Sequence, residues 1–263
     1  MILTVTSLSL FNLNIMHGRN KRSAVFPPFV SRGKIQVNLQ KIVECIKTHN
    51  PDIVTLQEVD QGSVLSGGFN QFEWLGERLE YPYRYFAPSC SARLFGKDIF
   101  VSGNAIFSRY PLENRESHCF DFSFPTDRMG FVVADVKLPE GKTISVASVH
   151  LVYLDWTRRH PRAHQLKLVE RVIAARKNSA IISGDLNCGL LGTENSLRTF
   201  VKRLNLRAYE PDSKNSDTYP SWDAHQRIDW ILTSKDLEFV SYKKIEDKIS
   251  DHLAVFAEIK PAP

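Results

Sequence analysis

Short apolar segments of β-strand composition recur along the chain, and several of them end abruptly in an amide, an acid or a histidine. The stretch SAIISGDLNCG at 179–189 shows this pattern, because the apolar run at 180–182 leads into Asp185 and Asn187. Residues two apart lie on the same face of an extended strand, so both side chains can face one ligand. Leu186 between them is predicted to point into the core. An ordinary turn is the alternative interpretation.

Helical and strand-like segments alternate along the rest of the sequence. Apolar residues at helical spacing predict helices over residues 35–46 and 72–79, and a third that carries residues 168–173. Residues 98–112 predict two strands joined by a turn at Ser102–Gly103. A β-rich alternation with intervening helices predicts a layered α/β domain with mixed sheets.

Length and composition predict a single domain over residues 1–263. The hydrophobic content of 43% supplies a large core, and no Gly/Ser/Pro-rich linker or repeat divides the chain. The four cysteines stand far apart without CxxC or Cys/His spacing, which argues against structural zinc. Neither a membrane-spanning segment nor a secretory signal is predicted, so a cytoplasmic protein with reduced thiols is expected.

Polar residues able to form an active site stand at the predicted strand ends or in the loops beside them. They are Asn14, Glu58, His150, Asp185, Asn187, Asp229, Asp251 and His252. Layered α/β proteins bind ligands where loops from several strands meet at a sheet edge. Each residue also has a purely structural interpretation: a turn for the amides, a strand end reaching water for the acids, and a core or rim position for the histidines.

The chemistry of this polar set favours a hard cation. Carboxylate oxygens together with water suit Mg²⁺, with Mn²⁺ as a substitute, whereas zinc prefers more histidine and cysteine ligands. The set therefore suits a phosphate ester bound to one hard cation.

The same residues lie in motifs that resemble a known family. The motifs are NLNIMHG, LQEVD, GNAIFSRYP, SVHL, SGDLN, RIDWIL and SDHLAV. Their order and intervals are similar to those of the endonuclease/exonuclease/phosphatase superfamily, which includes pancreatic deoxyribonuclease, AP endonucleases, neutral sphingomyelinases and inositol polyphosphate phosphatases. The resemblance spans nearly the whole chain. It implies a deoxyribonuclease I-like fold, a four-layer α/β/β/α sandwich of two mixed β-sheets flanked by helices, and metal-assisted phosphoester hydrolysis.

The resemblance also implies roles at the metal and at the phosphate. Glu58 would be the principal metal ligand, with Asn14 and Asp251 in or next to the coordination shell. The metal ion and these donors would neutralise charge on a pentavalent transition state. Asn187 and His150 would donate hydrogen bonds to the non-bridging phosphate oxygens.

A histidine and two acids are implied to handle the attacking water. Asp229 would orient His252 and raise its basicity, as a carboxylate does for a catalytic imidazole. Either His252 or Asp185 would then deprotonate or position the water for in-line attack on phosphorus. We assign the base role to His252 and the positioning role to Asp185, and the sequence leaves the reverse open.

The implied substrate is a phosphate ester, either a nucleic acid or a small or lipid phosphoester. A net charge of +5, from 34 Lys and Arg against 29 Asp and Glu, mildly favours such anionic partners. Trp156 and Arg158 offer contacts to a nucleic-acid backbone or to an anionic lipid headgroup. Arg128 matches an arginine that some family members use on the phosphate; a plain surface arginine is the alternative. No obligate protein partner is implied, and a monomer is expected.

Other functions leave a different sequence pattern. A binding protein that kept the fold and lost the chemistry is expected to show substitutions in the ligand set, and none of the eight positions is substituted. Val59–Asp60 after Glu58 depart from the threonine and lysine of AP endonucleases, which disfavours abasic-site repair. The sequence has no GxSxG, P-loop, Rossmann glycine pattern or HExxH, so serine hydrolases, nucleotide kinases, dehydrogenases and zincins lack a starting residue.

Overall fold

Two six-stranded β-sheets pack face to face, with helices on the outer side of each sheet. The computed structural model describes residues 7–20, 30–94, 97–122, 128–153, 160–191 and 195–263. The predicted four-layer α/β/β/α sandwich of two mixed sheets is confirmed. None of the helices in these ranges combines the length and the apolar character needed to cross a membrane.

The first sheet places the ends of two parallel strands side by side. Its spatial order is β11 (Leu237–Ile245), β12 (Ala254–Pro261), β1 (Leu8–Asn14), β2 (Ile53–Asp60), β4 (Lys97–Ser108) and β3 (Tyr83–Leu94). Strands β1 and β2 are parallel and are connected by α1 (Arg32–His49), and the other neighbours are antiparallel. The register sets Asn14 opposite Gln57, so Asn14 lies beside the end of β2 that carries Glu58.

The second sheet repeats this arrangement. Its spatial order is β5 (Leu112–Cys119), β6 (Gly130–Lys137), β7 (Thr143–His150), β8 (Ser179–Asp185), β10 (Asp229–Ser234) and β9 (Leu206–Ala208). The parallel pair is β7 and β8, connected by α3 (Pro161–Arg176). His150 pairs with Asp185, and the antiparallel β10 begins with Asp229 opposite Asp185. Three predicted site residues thus meet at one edge of this sheet.

Helix α1 forms because its apolar residues recur on one face. Ile35, Leu39 and Ile46 are buried against the first sheet, and burying such a side chain contributes roughly 1.5–3 kcal/mol. The helix ends at Asn50, whose left-handed backbone directs its N–H to the Ile46 carbonyl. The predicted helix over 35–46 is confirmed, as are the other two, which the structure places at α2 (Gln71–Leu79) and α3. A fourth helix, α4 (Ser196–Arg203), covers the second sheet with α3.

Apolar side chains fill the three spaces between the four layers of the sandwich. One cluster joins α1 and α2 to the first sheet, and another joins α3 and α4 to the second. The middle cluster lies between the sheets, where Leu10 and Ile106 from the first face Val146 and Ile231 from the second. Strands buried on both faces read as nearly continuous apolar runs, which is why their sequences lack strict alternation.

The predicted turn at Ser102–Gly103 is wrong, because β4 continues through both residues. A Cβ atom on Gly103 would lie 2.0 Å from the Ala87 carbonyl oxygen and 2.7 Å from the Pro88 Cα atom on β3. The pairing of β3 with β4 is irregular just beyond this point, between Pro88 and Cys90. The glycine therefore permits a close approach of two strands, a meaning that sequence alone does not separate from a turn.

Polar side chains join the two sheets in the interior behind the site. The hydroxyls of Thr55 and Ser183 lie 2.9 Å apart across the sheets. Gln57 Nε2 donates to Asn12 Oδ1 at 3.0 Å within the first sheet and to Ser148 Oγ at 2.9 Å in the second. Buried hydrogen bonds are directional, so these contacts fix the offset of one sheet relative to the other.

We predict that Gly184 cannot be replaced without a loss of stability. Its φ is +148°, and an added Cβ atom would lie 1.8 Å from the Val149 carbonyl oxygen of the neighbouring parallel strand. The Gly184→Ala variant is expected to lower the free energy of unfolding by about 1–3 kcal/mol, measured by urea denaturation. The matched control is Gly33→Ala in α1, where nothing lies within 4 Å of the added methyl group. This control is expected to be neutral or to stabilise by up to ~1 kcal/mol; equal losses in both variants would contradict the explanation.

Candidate active site

A cleft of about 410 Å³ opens where the polar strand ends of the two sheets meet. The predicted site residues that line it are Glu58, Arg128, His150, Asp185, Asn187, Asp251 and His252. Asn14 and Asp229 lie directly behind this lining and contact it through hydrogen bonds. Trp156 and Arg158 lie outside the described residues.

Asn14 connects the carboxylates of the two sheets. Its Nδ2 donates to Glu58 Oε1 at 3.0 Å and to Asp185 Oδ2 at 3.1 Å. Its Oδ1 accepts the Met16 N–H at 3.0 Å, which sets the orientation of the amide. The amide oxygen therefore faces the backbone, and the nitrogen faces the carboxylates. In this arrangement Asn14 bridges the two acids through its amide nitrogen.

The backbone of Glu58 is strained. The pairing of β2 with β4 shifts between Leu56 and Val59, and Glu58 in this bulge has φ +56°. A left-handed glutamate costs free energy and persists only where its surroundings fix it. Burial alone would raise the pKa of Glu58, but the imidazoles of His17 and His150 outweigh it and lower that pKa below the usual range. Glu58 therefore faces the cleft as a carboxylate.

His252 and Asp229 form the predicted pair. His252 Nδ1 lies 2.8 Å from Asp229 Oδ2, and Thr218 Oγ1 donates to the same oxygen at 2.6 Å. Burial opposes protonation of the imidazole, yet the neighbouring carboxylates of Asp229 and Asp185 hold the pKa of His252 well above 6.5. The ring is thus fixed in orientation, with Nε2 directed to the cleft side, 3.6 Å from Asp185 Oδ2.

Asp185 occupies the centre of the cluster. Its Oδ2 lies 3.6 Å from both His150 Nε2 and His252 Nε2, and its Oδ1 accepts the Asn187 N–H at 3.0 Å. Burial raises the pKa of Asp185 to about 6, although the two imidazoles act in the opposite direction. Leu186 points away into the core, as predicted, and Cys188 is also buried.

Three further predicted residues surround the entrance. Asn187 has φ +50° and donates from Nδ2 to the Leu151 carbonyl at 2.8 Å, which fixes its amide at the cleft wall. Asp251 accepts the Ser250 hydroxyl at 3.1 Å, and desolvation raises the pKa of this carboxyl. Arg128 lies exposed at the rim.

Sequence reasoning missed His17, Asp60 and Tyr219. His17 Nε2 lies 3.1 Å from Glu58 Oε2, and its Nδ1 lies 2.8 Å from Asp60 Oδ1. Burial opposes its protonation, yet these two carboxylates raise the pKa of His17 to about 9. The Tyr219 ring lies 4.9 Å from that of His252. A signal was available for the first two, because His17 lies in the motif NLNIMHG that contains Asn14, and Asp60 closes the motif LQEVD that contains Glu58.

The donor set fits a hard divalent cation. Three carboxylates, from Glu58, Asp185 and Asp251, line one cleft, and Asp229 lies behind them. An anionic phosphate is repelled from such a group of acids unless a cation lies between them. Among the described residues, Asp185, Asp229 and His252 also present ligand atoms within 4.8 Å of one another. His252 Nδ1 and Asp229 Oδ2 already contact each other at 2.8 Å. The carboxylate oxygens of Glu58 and Asp251 therefore suit the cation better.

Comparison with known proteins agrees with this geometry. The family model described as Endonuclease/Exonuclease/phosphatase family matches residues 35–252. The chain belongs to this family. Members of the endonuclease/exonuclease/phosphatase family are generally phosphoester hydrolases that depend on a divalent metal ion. No curated protein sequence matches the chain.

Solved structures of the endonuclease/exonuclease/phosphatase fold resemble the chain over nearly its full length. A family protein from Beutenbergia cavernae DSM 12333 has a TM-score of 0.78 at 18% identity, covering 98% of this chain and 72% of that one. The human Nocturnin catalytic domain with a bound sulfate anion has a TM-score of 0.72 at 21% identity, with 98% and 95% covered. The mannosyl-6-phosphatase of Bacteroides thetaiotaomicron VPI-5482 has a TM-score of 0.70 at 17% identity, with 96% and 99% covered.

We predict that His252 stays protonated at neutral pH in the metal-free protein. Because its folded-state pKa is raised, the ion pair stabilises the fold below pH 6.5, and this contribution is lost as the pH rises through the raised pKa. The Asp229→Asn variant removes the nearest opposite charge and is expected to lower the His252 pKa. NMR titration of the imidazole measures both values.

The control for this titration is Asp135→Asn. Asp135 is a buried carboxylate on β6 that accepts the Ser145 hydroxyl at 2.7 Å, toward the end of the second sheet away from the cleft. This variant is expected to leave the His252 midpoint unchanged. A midpoint near 6.5 in the wild type, or the same midpoint in Asp229→Asn, would contradict the assignment.

Proposed function

We propose that the chain is a Mg²⁺-dependent hydrolase of phosphoester bonds, with Mn²⁺ as a substitute metal. The observation that supports this most directly is the meeting of Glu58 and Asp251 with the oriented His252–Asp229 pair in one cleft. Held by Glu58 with Asp251 beside it, Mg²⁺ would neutralise charge on the phosphate and on the pentavalent transition state. The remaining steps belong to the side chains of the chain itself.

Donors on the cleft wall suit the non-bridging phosphate oxygens. The Asn187 amide is fixed by its bond to the Leu151 carbonyl and by the N–H contact to Asp185. His150 is buried at the end of β7, with Nε2 facing the carboxylates. Donors that are oriented before the reaction stabilise developing negative charge without reorganisation. We therefore assign phosphate binding to Asn187 and His150.

The charge states of Asp185 and His252 favour Asp185 as the general base. The sequence predicted His252 for this role, but an imidazole whose pKa lies well above 6.5 already carries its proton at neutral pH. A carboxylate with a pKa of about 6 is matched to accept a proton near pH 7. In this proposal Asp185 takes a proton from the attacking water while the His252 imidazolium, oriented by Asp229, donates a hydrogen bond to the phosphate. Attack occurs in line with the departing oxygen.

The size of the cleft suits one phosphate and the groups next to it. Its volume of about 410 Å³ lies in the range of small-molecule sites, roughly 300–1,000 Å³. Phe100, Met129 and Ile228 give part of the wall an apolar character, and Arg128 adds a positive charge at the rim. The substrate can be a nucleic acid end, a sugar or inositol phosphate, or a lipid headgroup. Trp156 and Arg158 remain a prediction for the longer substrates.

We predict that the purified protein hydrolyses at least one phosphoester in the presence of Mg²⁺. A suitable panel contains bis-p-nitrophenyl phosphate, p-nitrophenyl phosphate, mannose 6-phosphate, single-stranded DNA, RNA and phosphoinositide vesicles. The Asp185→Asn variant loses the proposed base and is expected to lower kcat by about 10²–10⁴-fold. Asp223→Asn, at an exposed carboxylate, is the matched control and should retain activity. Binding of Mg²⁺ without turnover on any substrate would favour the alternative of an inactive binding protein.

We also predict that Glu58 is required for metal binding. The Glu58→Gln variant keeps the shape of the side chain and removes its charge, so the Kd for Mg²⁺ is expected to rise at least about tenfold by calorimetry. Glu44→Gln, at an exposed position of α1, is the control and should bind as the wild type does. Equal affinities in the two variants would refute the assignment of Glu58.

A further inference from the structure

The turn that follows β1 has an unusual backbone. Three consecutive residues adopt left-handed angles: φ is +47° at Met16, +54° at His17 and +73° at Gly18. Glycine adopts this region readily, whereas methionine and histidine do so only at a cost in free energy. Such strain persists where the surrounding structure imposes it, and it concentrates at functional sites. Contacts from the surrounding structure must therefore offset the cost of this turn.

Side chains from distant parts of the chain hold the turn in place. Gln71, the first residue of α2, donates from Nε2 to the His17 carbonyl at 2.8 Å. Asn38 on α1 donates from Nδ2 to the Gly18 carbonyl at 3.2 Å. A Cβ atom on Gly18 would lie 2.9 Å from Ile35, so the turn is also packed tightly against α1. The two outer helices thus fix the position from which the His17 ring extends.

The ring of His17 lies between two carboxylates. Nε2 lies 3.1 Å from Glu58 Oε2, and Nδ1 lies 2.8 Å from Asp60 Oδ1. The ring also meets Phe100 edge-on, with centroids 5.5 Å apart. Both ring nitrogens are therefore engaged by acids, which leaves the imidazole little freedom to rotate.

Asp60 anchors this arrangement from the interior. It is 1% exposed, so its side chain does not reach the cleft. Its second carboxylate oxygen accepts the hydroxyl of Ser66, and its backbone N–H donates to Gln71 Oε1 at 3.2 Å. Gln71 thus holds both Asp60 and the turn that carries His17. The contacts thus run from the buried Asp60 through His17 to Glu58, which faces the cleft.

Two side-chain nitrogens, one at the end of β1 and one in the turn after it, contact the two carboxylate oxygens of Glu58. Asn14 contacts Oε1 at 3.0 Å and His17 contacts Oε2 at 3.1 Å. We propose that His17 is a positioning residue which, oriented by Asp60, holds the Glu58 carboxylate in the conformation that binds the divalent cation. This inference rests on the proposed function, because it takes Glu58 as the metal ligand. Partners that orient metal ligands in this way typically contribute 10–100-fold to metal affinity.

Metal binding measured without substrate tests the proposal. In His17→Ala the Kd for Mg²⁺ by calorimetry is expected to rise about 10–100-fold, and the EPR spectrum of bound Mn²⁺ is expected to change. Asp60→Asn should raise the Kd by a smaller factor, because the ring keeps a hydrogen-bond acceptor. Thermal unfolding of the metal-free variants reports whether the fold is intact. At saturating Mg²⁺ the kcat of His17→Ala should recover most of the wild-type value.

The matched control is His118→Ala. His118 Nε2 also lies 3.1 Å from a glutamate oxygen, that of Glu116, and its side-chain exposure of 27% is close to the 24% of His17. His118 is not among the residues that line the cleft. Its removal should leave the Mg²⁺ affinity and the Mn²⁺ spectrum unchanged.

A double-mutant cycle separates this proposal from the assignment of Glu58. If His17 acts through Glu58, adding His17→Ala to Glu58→Gln should weaken Mg²⁺ binding little beyond Glu58→Gln alone. Wild-type affinity in His17→Ala, with weakened binding in Glu58→Gln, overturns the positioning role and leaves the proposed function standing. Fully additive effects of the two substitutions on Mg²⁺ binding would likewise overturn the positioning role and leave the proposed function standing. Wild-type affinity in both single variants overturns the metal assignment and the positioning role together.

Discussion

The site depends on one amide that spans the two sheets. Asn14 ends β1 of the first sheet, and its Nδ2 donates both to Glu58 of that sheet and to Asp185 of the other. The carboxylates of Glu58 and Asp185 repel each other, and the amide that donates to both of them offsets part of that repulsion. Behind the amide, the Thr55–Ser183 hydroxyl contact fixes the offset of the sheets. The cleft therefore owes its shape to polar contacts in the interior as much as to apolar packing.

Strand ends were predictable from sequence because the relevant signals are local. The apolar run before Asp185 predicts a buried strand, and the acid at its end marks where the strand reaches the cleft. The same reasoning located His150 and Glu58, and the family resemblance supplied the sandwich that brings them together. The sequence could not predict the distances between their side chains, because these distances depend on the offset of one sheet relative to the other.

What the sequence did not predict depends on tertiary contacts. Gly103 was interpreted as a turn, whereas its role is to let β3 approach β4, which no neighbouring residue indicates. His17 was overlooked because its contact with Asp60 joins residues 43 positions apart and requires a left-handed turn. Three residues that line the cleft, His17, Glu58 and Asn187, have positive φ angles. Asparagine tolerates this region, whereas glutamate adopts it only at a cost in free energy, so local sequence rules do not predict the conformation of Glu58.

The two hydrogen bonds that Asn14 donates to carboxylates place different demands on the fold. Asn14 is separated from Glu58 by 44 positions but from Asp185 by 171, so the first contact forms within one sheet and the second forms only between sheets. The contact with Asp185 therefore requires the two sheets to be packed together. A small displacement of one sheet relative to the other would therefore separate Glu58 from Asp185 and disrupt the candidate site, even with the hydrogen bonds within each sheet unchanged.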